Sequence, residues 1–295
     1  MYLSIVSTLY KSAPYLVEFY TRCSLAARAI TENFEIILVN DGSPDNALAL
    51  AEELASKDAK LRVVHLSRNF GHQAAIRVGL GKAKGEWIFL IDADLEESPE
   101  WVNDFWQLKK EGTDVVYGVQ ETRKGNWWER VSGSLYYSLV QSISAYPIPR
   151  NVVTARLMTR KYVESVLRYP EKDVELWVLF YHVGFVQQAV TVTKKDKGST
   201  SFSMRHKVQL LVSTITSSTN APLYGMFICS IFMWCLSCGC MVYYLIRPQG
   251  NAFLISVFSV GISTLCVFVG VVSVYLAKIF NEVRNRPIAI EKSGS

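Results

Sequence analysis

The chain has 295 residues, enough for one large domain or two small ones, and half of its residues are hydrophobic. Lysine and arginine outnumber aspartate and glutamate by 31 to 26, which gives a net charge of +5. The basic residues are not interleaved with aromatic residues on a face of the soluble part, which excludes a nucleic-acid partner. They gather beside two long apolar runs, as is typical of a protein at an anionic membrane surface.

The first 120 residues alternate between short apolar runs and amphipathic segments. Apolar runs bounded by turn residues predict strands, and apolar residues at helical spacing predict helices. We predict strands at 3–9, 35–40, 61–66, 87–91 and 114–118. We predict helices at 13–28, 46–55 and 99–110, and a further helix that follows the loop at 67–72 and extends through residue 84. This alternation predicts an α/β fold with a mostly parallel, Rossmann-like sheet flanked by helices.

Two carboxylates follow the fourth predicted strand, one residue apart. In extended chain the side chains of residues i and i+2 point to the same side, so Asp92 and Asp94 can converge on one hard cation. Mg²⁺ and Mn²⁺ are commonly held by one or two carboxylates, while a substrate diphosphate completes the coordination shell. The sequence therefore predicts a Mg²⁺ or Mn²⁺ site at this strand end.

The carboxyl ends of parallel strands share one edge of a sheet, where ligands bind in open α/β folds. The predicted edge gathers 7–10, 40–42, 67–72 and 92–94, and with them Asp41, Arg68 and His72. This set of groups suits a nucleotide that carries a diphosphate. A dinucleotide cofactor is excluded because no G-x-G-x-x-G follows the first strand, and no phosphate-binding G-x-x-x-x-G-K-[ST] motif occurs.

Two runs without charged residues, 224–246 and 251–277, each exceed the ~20 apolar residues that cross a bilayer. The connection Arg247-Pro-Gln-Gly250 has the composition of a turn, so we predict a helical hairpin. Lys194, Lys195, Lys197, Arg205 and Lys207 precede the first run, Lys278, Arg284 and Arg286 follow the second, and only Arg247 lies between. The positive-inside rule then predicts that both ends are cytoplasmic.

These observations divide the chain into four parts. We predict a cytoplasmic soluble domain at 1–203, a juxtamembrane amphipathic segment at 204–222, a transmembrane hairpin at 223–280 with spans at about 224–246 and 253–277, and a cytoplasmic tail at 281–295. The predicted location is the inner (cytoplasmic) membrane, with a multi-pass anchor and the soluble domain in the cytoplasm.

Three ordered motifs carry a family resemblance: VNDGSPD at 39–45, LSRNFGHQAA at 66–75, and IDADL at 91–95 followed by Pro99-Glu100. They resemble family 2 inverting glycosyltransferases of the GT-A fold. More narrowly, they are similar to the polyprenyl-phosphate group, which includes bactoprenol glucosyltransferases and dolichyl-phosphate mannose synthases. The similarity continues through 114–118, 148–150, 156–158, 198–205 and the two apolar runs, so it covers nearly the whole chain.

The resemblance implies transfer of a sugar from a nucleotide diphosphate sugar to undecaprenyl (polyprenyl) phosphate for cell-envelope glycans. It implies nucleotide-sugar contacts from Thr8, Tyr10, Asp41, Arg68, His72 and Asp92, a metal at Asp92 and Asp94, and acceptor-phosphate contacts from Arg123, Arg130, Ser134 and Arg205. Arg130 and Ser134, four apart on one helical face, are the implied catalytic pair beside the two aspartates. Assembly as a homo-oligomer is compatible with the sequence.

The chain departs from the family pattern at two places. The first strand runs into Ser7-Thr-Leu-Tyr-Lys-Ser12 instead of Pro-x-Tyr-Asn-Glu, and Thr154 stands where relatives often have an acidic residue. Several alternatives stay open. The acceptor could be a sugar hydroxyl with a base among Glu171, Asp173 and Glu175, or the chain could be a non-catalytic membrane scaffold. Arg68 and His72 could anchor loops, and Arg123 and Arg130 could belong to a basic membrane-facing surface.

Overall fold

A computed structural model describes residues 2–120, 151–169, 176–194, 221–246 and 252–292, whose strands and helices we number in chain order. The strands are β1 (Leu3–Leu9), β2 (Phe34–Asn40), β3 (Leu61–His65), β4 (Trp87–Leu90), β5 (Val115–Gln120), β6 (Val152–Thr159) and β7 (Gln187–Val192). The helices are α1 (Leu16–Arg28), α2 (Ala47–Lys57), α3 (His72–Lys82), α4 (Trp101–Leu108), α5 (Arg160–Leu167), α6 (Leu176–His182), α7 (Ala221–Ile246) and α8 (Ala252–Val283).

The seven strands form one sheet in the order β3-β2-β1-β4-β6-β5-β7. Strands β1 to β4 are parallel to one another, and β7 is parallel to β5. Strand β6 runs antiparallel between β4 and β5. The mostly parallel α/β sheet predicted from the sequence is therefore confirmed, with one antiparallel strand inserted between β4 and β5.

Helices cover both faces of this sheet, which explains why a strand such as β4 is an unbroken apolar run. Neighbouring residues of β1 point to opposite faces, as the two-residue period of a strand requires. Ile5 lies in the core cluster with Phe19 of α1 and Phe105 of α4, whereas Val6 lies in the cluster with Tyr162 of α5. Ile5 and Val6 are fully buried, and so are the three aromatic side chains that pack against them.

The five strands and four helices predicted in the first 120 residues are all present, with ends that shift by a few residues. Helix α1 begins at Leu16 because the three residues before it form a turn. In that turn the N–H of Ala13 donates to Asp45 at 2.9 Å, and the N–H of Tyr15 donates to the carbonyl of Ser12 at 3.0 Å. Strands β6 and β7 were not predicted.

The two C-terminal helices are apolar around their circumference, and their large side chains are exposed. Phe232 in α7 is 67% exposed and Phe258 in α8 is 73% exposed. Within the described ranges, one helical stretch is long and apolar enough to cross a membrane, the 24 residues Val260–Val283. The apolar stretch Pro222–Leu236 in α7 is shorter than a span. The first of the two predicted spans thus stays a prediction.

The residues after α8 return to the sheet and pair with its β3 edge. Leu66, directly after β3, forms an antiparallel bridge with Glu291. The N–H of Lys292 donates to the carbonyl of His65 at 2.8 Å, and Lys82 of α3 forms an ion pair with Glu291 at 2.8 Å. The tail therefore covers hydrogen-bonding groups at one edge of the sheet.

Candidate functional site

Side chains from three elements meet at the carboxyl edge of the sheet. The hydroxyl of Thr8, near the end of β1, is 3.1 Å from Nδ1 of His72, the first residue of α3. Nε2 of His72 is 3.3 Å from Oδ1 of Asp92, which follows β4. The sequence predicted that these strand ends share one edge, and these contacts confirm it.

The other oxygen of Asp92 is held from the opposite side. The hydroxyl of Thr154, in β6, donates to Oδ2 of Asp92 at 2.7 Å, and its backbone N–H donates to Oε1 of Glu97 at 2.9 Å. Asp92 is thus fixed between a histidine and a threonine. Thr154, noted in the sequence only as a missing acid, is a direct neighbour of the predicted metal ligand.

Sequence reasoning missed Glu97 and Lys194. The side chain of Glu97 is fully buried. Its Oε1 accepts a hydrogen bond at 2.9 Å from the ammonium of Lys194, a residue that lies just beyond the end of β7. Burial and the nearby charge of Asp92 raise the pKa of Glu97 to about 7, although Lys194 and the Thr154 N–H favour its charged form. The position of Glu97 within the Asp92–Glu100 motif was the available signal. From the sequence alone, Lys194 is one of the basic residues that flank the apolar runs.

Burial alternates along the segment that follows β4. Residues 91, 93, 95 and 97 are buried, whereas Asp92, Asp94 and Glu96 are partly exposed. Oδ1 of Asp94 accepts the N–H of Glu96 at 2.9 Å. Leu95 lies at φ +61°, a left-handed conformation that costs a residue with a Cβ roughly 1–2 kcal/mol. Its side chain packs into the core below, so the three acidic residues stay on the outer side.

Asp41 organises the neighbouring loop between β3 and α3. Its carboxylate is buried and accepts the N–H of Phe70 at 2.7 Å and the N–H of Gly71 at 3.0 Å. Gly42 adopts φ +60° and lies against this loop, since a Cβ there would be 2.5 Å from the backbone nitrogen of Asn69. The turn after β2 and the loop after β3 are therefore packed as one unit at the amino end of α3.

Comparison with known proteins decides the family. The family model described as glycosyl transferase family 2 matches residues 4–179, which contain every contact of this site described above except the one to Lys194. The chain belongs to glycosyltransferase family 2. Its sheet, with the aspartate pair directly after β4, has the GT-A fold that the sequence resemblance implied.

Relatives match the chain over almost all of its length. A protein named as a glycosyltransferase in Mycobacterium tuberculosis (strain CDC 1551 / Oshkosh) is 37% identical over 98% of this chain and 87% of its own. An undecaprenyl-phosphate 4-deoxy-4-formamido-L-arabinose transferase of Edwardsiella ictaluri is 24% identical over 97% of this chain and 92% of its own. The solved structure of S. aureus TarS residues 1–349 with UDP-GlcNAc has a TM-score of 0.49 at 18% identity, over 74% of this chain and 66% of that one.

The aspartate pair of this family 2 glycosyltransferase can hold a divalent cation. Among the described residues no group of three or more His, Cys, Asp or Glu side chains forms a closed metal centre. An open site with one or two carboxylates is what Mg²⁺ or Mn²⁺ uses when a substrate diphosphate supplies the remaining ligands. Asp92 is partly exposed and oriented by hydrogen bonds, and Asp94 lies partly exposed two residues later, so the residues present fit such a cation.

Two predicted donor contacts, Arg68 and Tyr10, lie at the surface beside the Asp41 loop. The guanidinium of Arg68 stacks over the ring of Phe70 at 4.0 Å and donates to the carbonyl of Asn69 at 2.9 Å. Tyr10 is 48% exposed. The roles assigned to Thr8, Tyr10, Asp41, Arg68 and His72 remain predictions, but these residues line one side of the edge.

Glu100 is the last residue of the motif that begins with IDADL at 91–95, and it anchors this motif to α1. Its carboxylate accepts from Nε of Arg22 at 2.8 Å and from Nη2 at 2.6 Å. The hydrogen bonds from Arg22 lower the pKa of Glu100 to about 2, against a smaller opposing effect of burial. This two-point contact ties the segment that carries Asp92 and Asp94 to the packed body of the domain.

The predicted acceptor side falls outside the described residues. It comprises Arg123, Arg130, Ser134 and Arg205, together with the alternative bases Glu171, Asp173 and Glu175. Their assignments therefore stay predictions. The described part of the chain contains the residues predicted to contact the donor, the aspartates predicted to hold the metal, and Thr154.

Proposed function

We propose that this family 2 glycosyltransferase is a membrane-anchored inverting enzyme that moves a sugar from a nucleotide diphosphate sugar to a polyprenyl phosphate of the undecaprenyl type. The observation that carries the proposal is the fixed position of Asp92 between His72 and Thr154 at the carboxyl end of β4. A partly exposed, oriented carboxylate at this edge is where a donor diphosphate and its cation would bind.

The donor side would position the nucleotide sugar. Asp41 orders the loop at the amino end of α3, where backbone N–H groups favour an anion. Asp92 and Asp94 would hold Mg²⁺ or Mn²⁺, which as a Lewis acid neutralises charge on a departing diphosphate. An oxygen of the acceptor phosphate bonds to the anomeric carbon as the bond from that carbon to the diphosphate breaks. The nucleoside diphosphate leaves with the electron pair, and attack from the opposite face inverts the configuration.

The phosphate acceptor is supported by the residue next to Asp92. A sugar hydroxyl needs a positioned base, whereas a phosphate monoester with a second pKa near 6 is mostly dianionic at pH 7. Thr154 cannot act as that base, and its carboxylate neighbour Glu97 is fully buried and paired with Lys194. The printed function of the Edwardsiella ictaluri relative, an undecaprenyl-phosphate transferase, supports the same acceptor. Arg123, Arg130, Ser134 and Arg205 are the residues we assign to the acceptor phosphate.

The membrane anchor is supported by the exposed apolar surface of α8. Hydroxyl groups within the helix are compatible with hydrocarbon because they donate to carbonyls four residues earlier. Thr264 donates to Val260 at 2.9 Å and Ser273 donates to Val269 at 2.7 Å. We therefore propose that α8 crosses the bilayer.

The tail supports a second crossing by α7. The sheet precedes α7, and the tail after α8 pairs with β3, so both lie on the same side of any membrane. An even number of crossings must separate them, and a single crossing by α8 would leave the tail on the wrong side. If α8 spans the bilayer, α7 must therefore cross it as well. The excess of Lys and Arg on both flanks then favours a cytoplasmic catalytic domain.

The experiment is a transfer assay with the purified full-length chain in detergent, undecaprenyl phosphate, Mg²⁺ or Mn²⁺ and a panel of radiolabelled nucleotide sugars. We expect one sugar to enter the organic phase, linked to phosphate with inverted configuration. Asp94→Asn should abolish nearly all turnover, because the developing diphosphate charge would go uncompensated. The melting temperature of this variant should stay within a few degrees of the wild type.

Two results would contradict the proposal. Label that enters a lipid-linked glycan while undecaprenyl phosphate stays unmodified would establish a hydroxyl acceptor. Failure to transfer any sugar of the panel, with equal nucleotide binding by the wild type and Asp94→Asn, would favour a non-catalytic scaffold.

A further inference from the structure

Glu97 is an acidic side chain in a place where an apolar one would be easier to accommodate. It has 0% exposure, and its Oε2 is buried without a hydrogen-bond partner among the described residues. Removing a carboxylate from water costs several kcal/mol even when it is paired. Its two contacts through Oε1, to the Thr154 N–H and the Lys194 ammonium, are therefore the features to explain.

The Thr154 N–H bonds to Glu97 where the pairing of β6 with β4 has already ended. The register pairs Leu90, the last residue of β4, with Arg156, two residues beyond Thr154. The pairing of β6 with β5 is also irregular here, since its register shifts between Tyr117 and Val119. Glu97 thus fixes the backbone of Thr154 at a point where the neighbouring strands hold it weakly.

The position of the Thr154 backbone determines what its hydroxyl reaches. Threonine is branched at Cβ and has few side-chain rotamers, so a fixed backbone fixes the hydroxyl. That hydroxyl donates to Oδ2 of Asp92 at 2.7 Å. Hydrogen bonds to a ligating carboxylate orient it, and their loss typically weakens metal binding about ten- to a hundredfold.

Lys194 binds the same oxygen of Glu97 that accepts the Thr154 N–H. The ammonium of Lys194 is 2.9 Å from Oε1 of Glu97. Burial lowers the pKa of Lys194, but the negative charges of Glu97, Asp92 and Glu96 outweigh burial and raise that pKa, so Lys194 remains protonated. Because Lys194 lies two residues beyond the end of β7, this ion pair joins the end of β7 to the segment that carries Asp92.

We propose that Glu97 is a positioning residue for Asp92, acting through Thr154 and held in place by Lys194. This inference rests on the proposed function, because it assumes that Asp92 binds the divalent cation. Glu97 touches neither substrate nor cation. It holds Thr154 so that the Thr154 hydroxyl orients the Asp92 carboxylate.

The test measures binding of Mn²⁺ alone to the full-length chain in detergent, from the electron paramagnetic resonance signal of free Mn²⁺. Thr154→Val removes the hydroxyl without changing charge, and we expect the Kd for Mn²⁺ to rise about tenfold. Thr154→Ser retains the hydroxyl and should stay within about threefold of the wild type. Glu97→Gln keeps the shape but loses the ion pair with Lys194, and we also expect a rise of about tenfold.

The double variant separates positioning from a simple change of local charge. If Glu97 acts through Thr154, Glu97→Gln should have less effect in the Thr154→Val background than in the wild type. Equal, independent effects would overturn the inference, as would wild-type Mn²⁺ binding by Thr154→Val or Glu97→Gln.

Asp92→Asn shows whether the inference or the proposed function has failed. Loss of Mn²⁺ binding in Asp92→Asn but in neither Thr154→Val nor Glu97→Gln would overturn the positioning role alone. Equal Mn²⁺ binding by the wild type and Asp92→Asn would overturn the metal site of the proposed function and this inference with it. Melting temperatures identify a loss of folding, which alone would not change the Kd of the folded fraction.

Discussion

The backbone N–H of Ser67 donates to the carbonyl of Ile290 at 2.8 Å, across the edge of the sheet. Ser67 begins the loop whose N–H groups bind Asp41, and Ile290 belongs to the tail that follows α8. This bond and the neighbouring Leu66–Glu291 bridge cover part of an edge that would otherwise be free to pair with another chain. They also place residues 290–292 beside the loop that Asp41 organises.

This relationship gives the first prediction, which concerns topology. A cysteine substituted for Gly250, in a chain without the six native cysteines, should react with a membrane-impermeant maleimide applied to the outside of intact cells. The reason is that α7 and α8 must cross together if the tail is to reach β3. The matched substitution Ser293→Cys should react only after permeabilisation. Labelling of Ser293→Cys from outside would contradict the assigned orientation.

The second prediction concerns the packing of Gly42. In Gly42→Ala the new Cβ would meet the backbone at Asn69 and Arg68, and the φ of +60° adds about 1–2 kcal/mol of strain. We expect the loop after β3 to shift and the KM for the donor sugar to rise more than tenfold. The control is Gly81→Ala, whose Cβ would make only an ordinary 3.9 Å contact with Leu167 and should leave the KM unchanged. A donor KM within twofold of the wild type in Gly42→Ala would refute this packing argument.

Local patterns were sufficient to predict the sheet of the first 120 residues and the meeting of its strand ends. Asp41, His72 and Asp92 could be brought together because each follows or precedes a strongly apolar strand, and parallel strands share an edge. The contacts of His72 with Thr8 and Asp92 bear this out, and Asp41 accepts hydrogen bonds from the two residues that precede His72. What the sequence could not supply was the partner of each side chain.

Strand β6 was missed because its sequence, VVTARLMT, places the buried Arg156 and the polar Thr154 within an apolar run. Its antiparallel insertion brings Thr154 to Asp92 across 62 residues of sequence, which no local pattern encodes. Glu97 was missed for a related reason. An acidic residue in a turn after a strand is usually solvated, and only tertiary packing buries this one against Lys194.

The third prediction concerns pH and the contact between Arg22 and Glu100. The pKa of Glu100 is about 2 in the folded chain and near 4.5 when unfolded, so the contact stabilises above pH 4.5 and is lost as pH falls towards 2. Since Glu100 is 48% exposed, solvent screening limits its contribution to about 1 kcal/mol.

Glu100→Gln should lower the melting temperature at pH 7, and by a smaller amount at pH 3, where part of the stabilisation is already lost. The matched control is Glu53→Gln, which breaks a surface ion pair with Lys57 in α2 and should have a smaller effect at pH 7. A difference between the wild type and Glu100→Gln that is the same at both pH values would contradict the assigned role of this carboxylate.

The fourth prediction separates acceptor from donor contacts. Arg130→Ala should raise the KM for undecaprenyl phosphate about ten- to a hundredfold and leave the donor KM within twofold, because a charge-assisted hydrogen bond is worth about 1.5–3 kcal/mol. Arg68→Ala, beside the Asp41 loop, should do the reverse. If Arg130→Ala weakens the donor and spares the acceptor, Arg130 belongs to the nucleotide side.

The last prediction distinguishes a phosphate acceptor from a hydroxyl acceptor. The position next to Asp92 is occupied by Thr154, which cannot take a proton, so a hydroxyl acceptor would need a base from another segment. The candidates are Glu171, Asp173 and Glu175. We expect each of Glu171→Gln, Asp173→Asn and Glu175→Gln to reduce transfer to undecaprenyl phosphate by less than about tenfold, because a dianionic phosphate attacks without a base. Loss of about 10³-fold or more at one position, within the range of general-base catalysis, would instead establish a proton-accepting carboxylate and favour the hydroxyl acceptor.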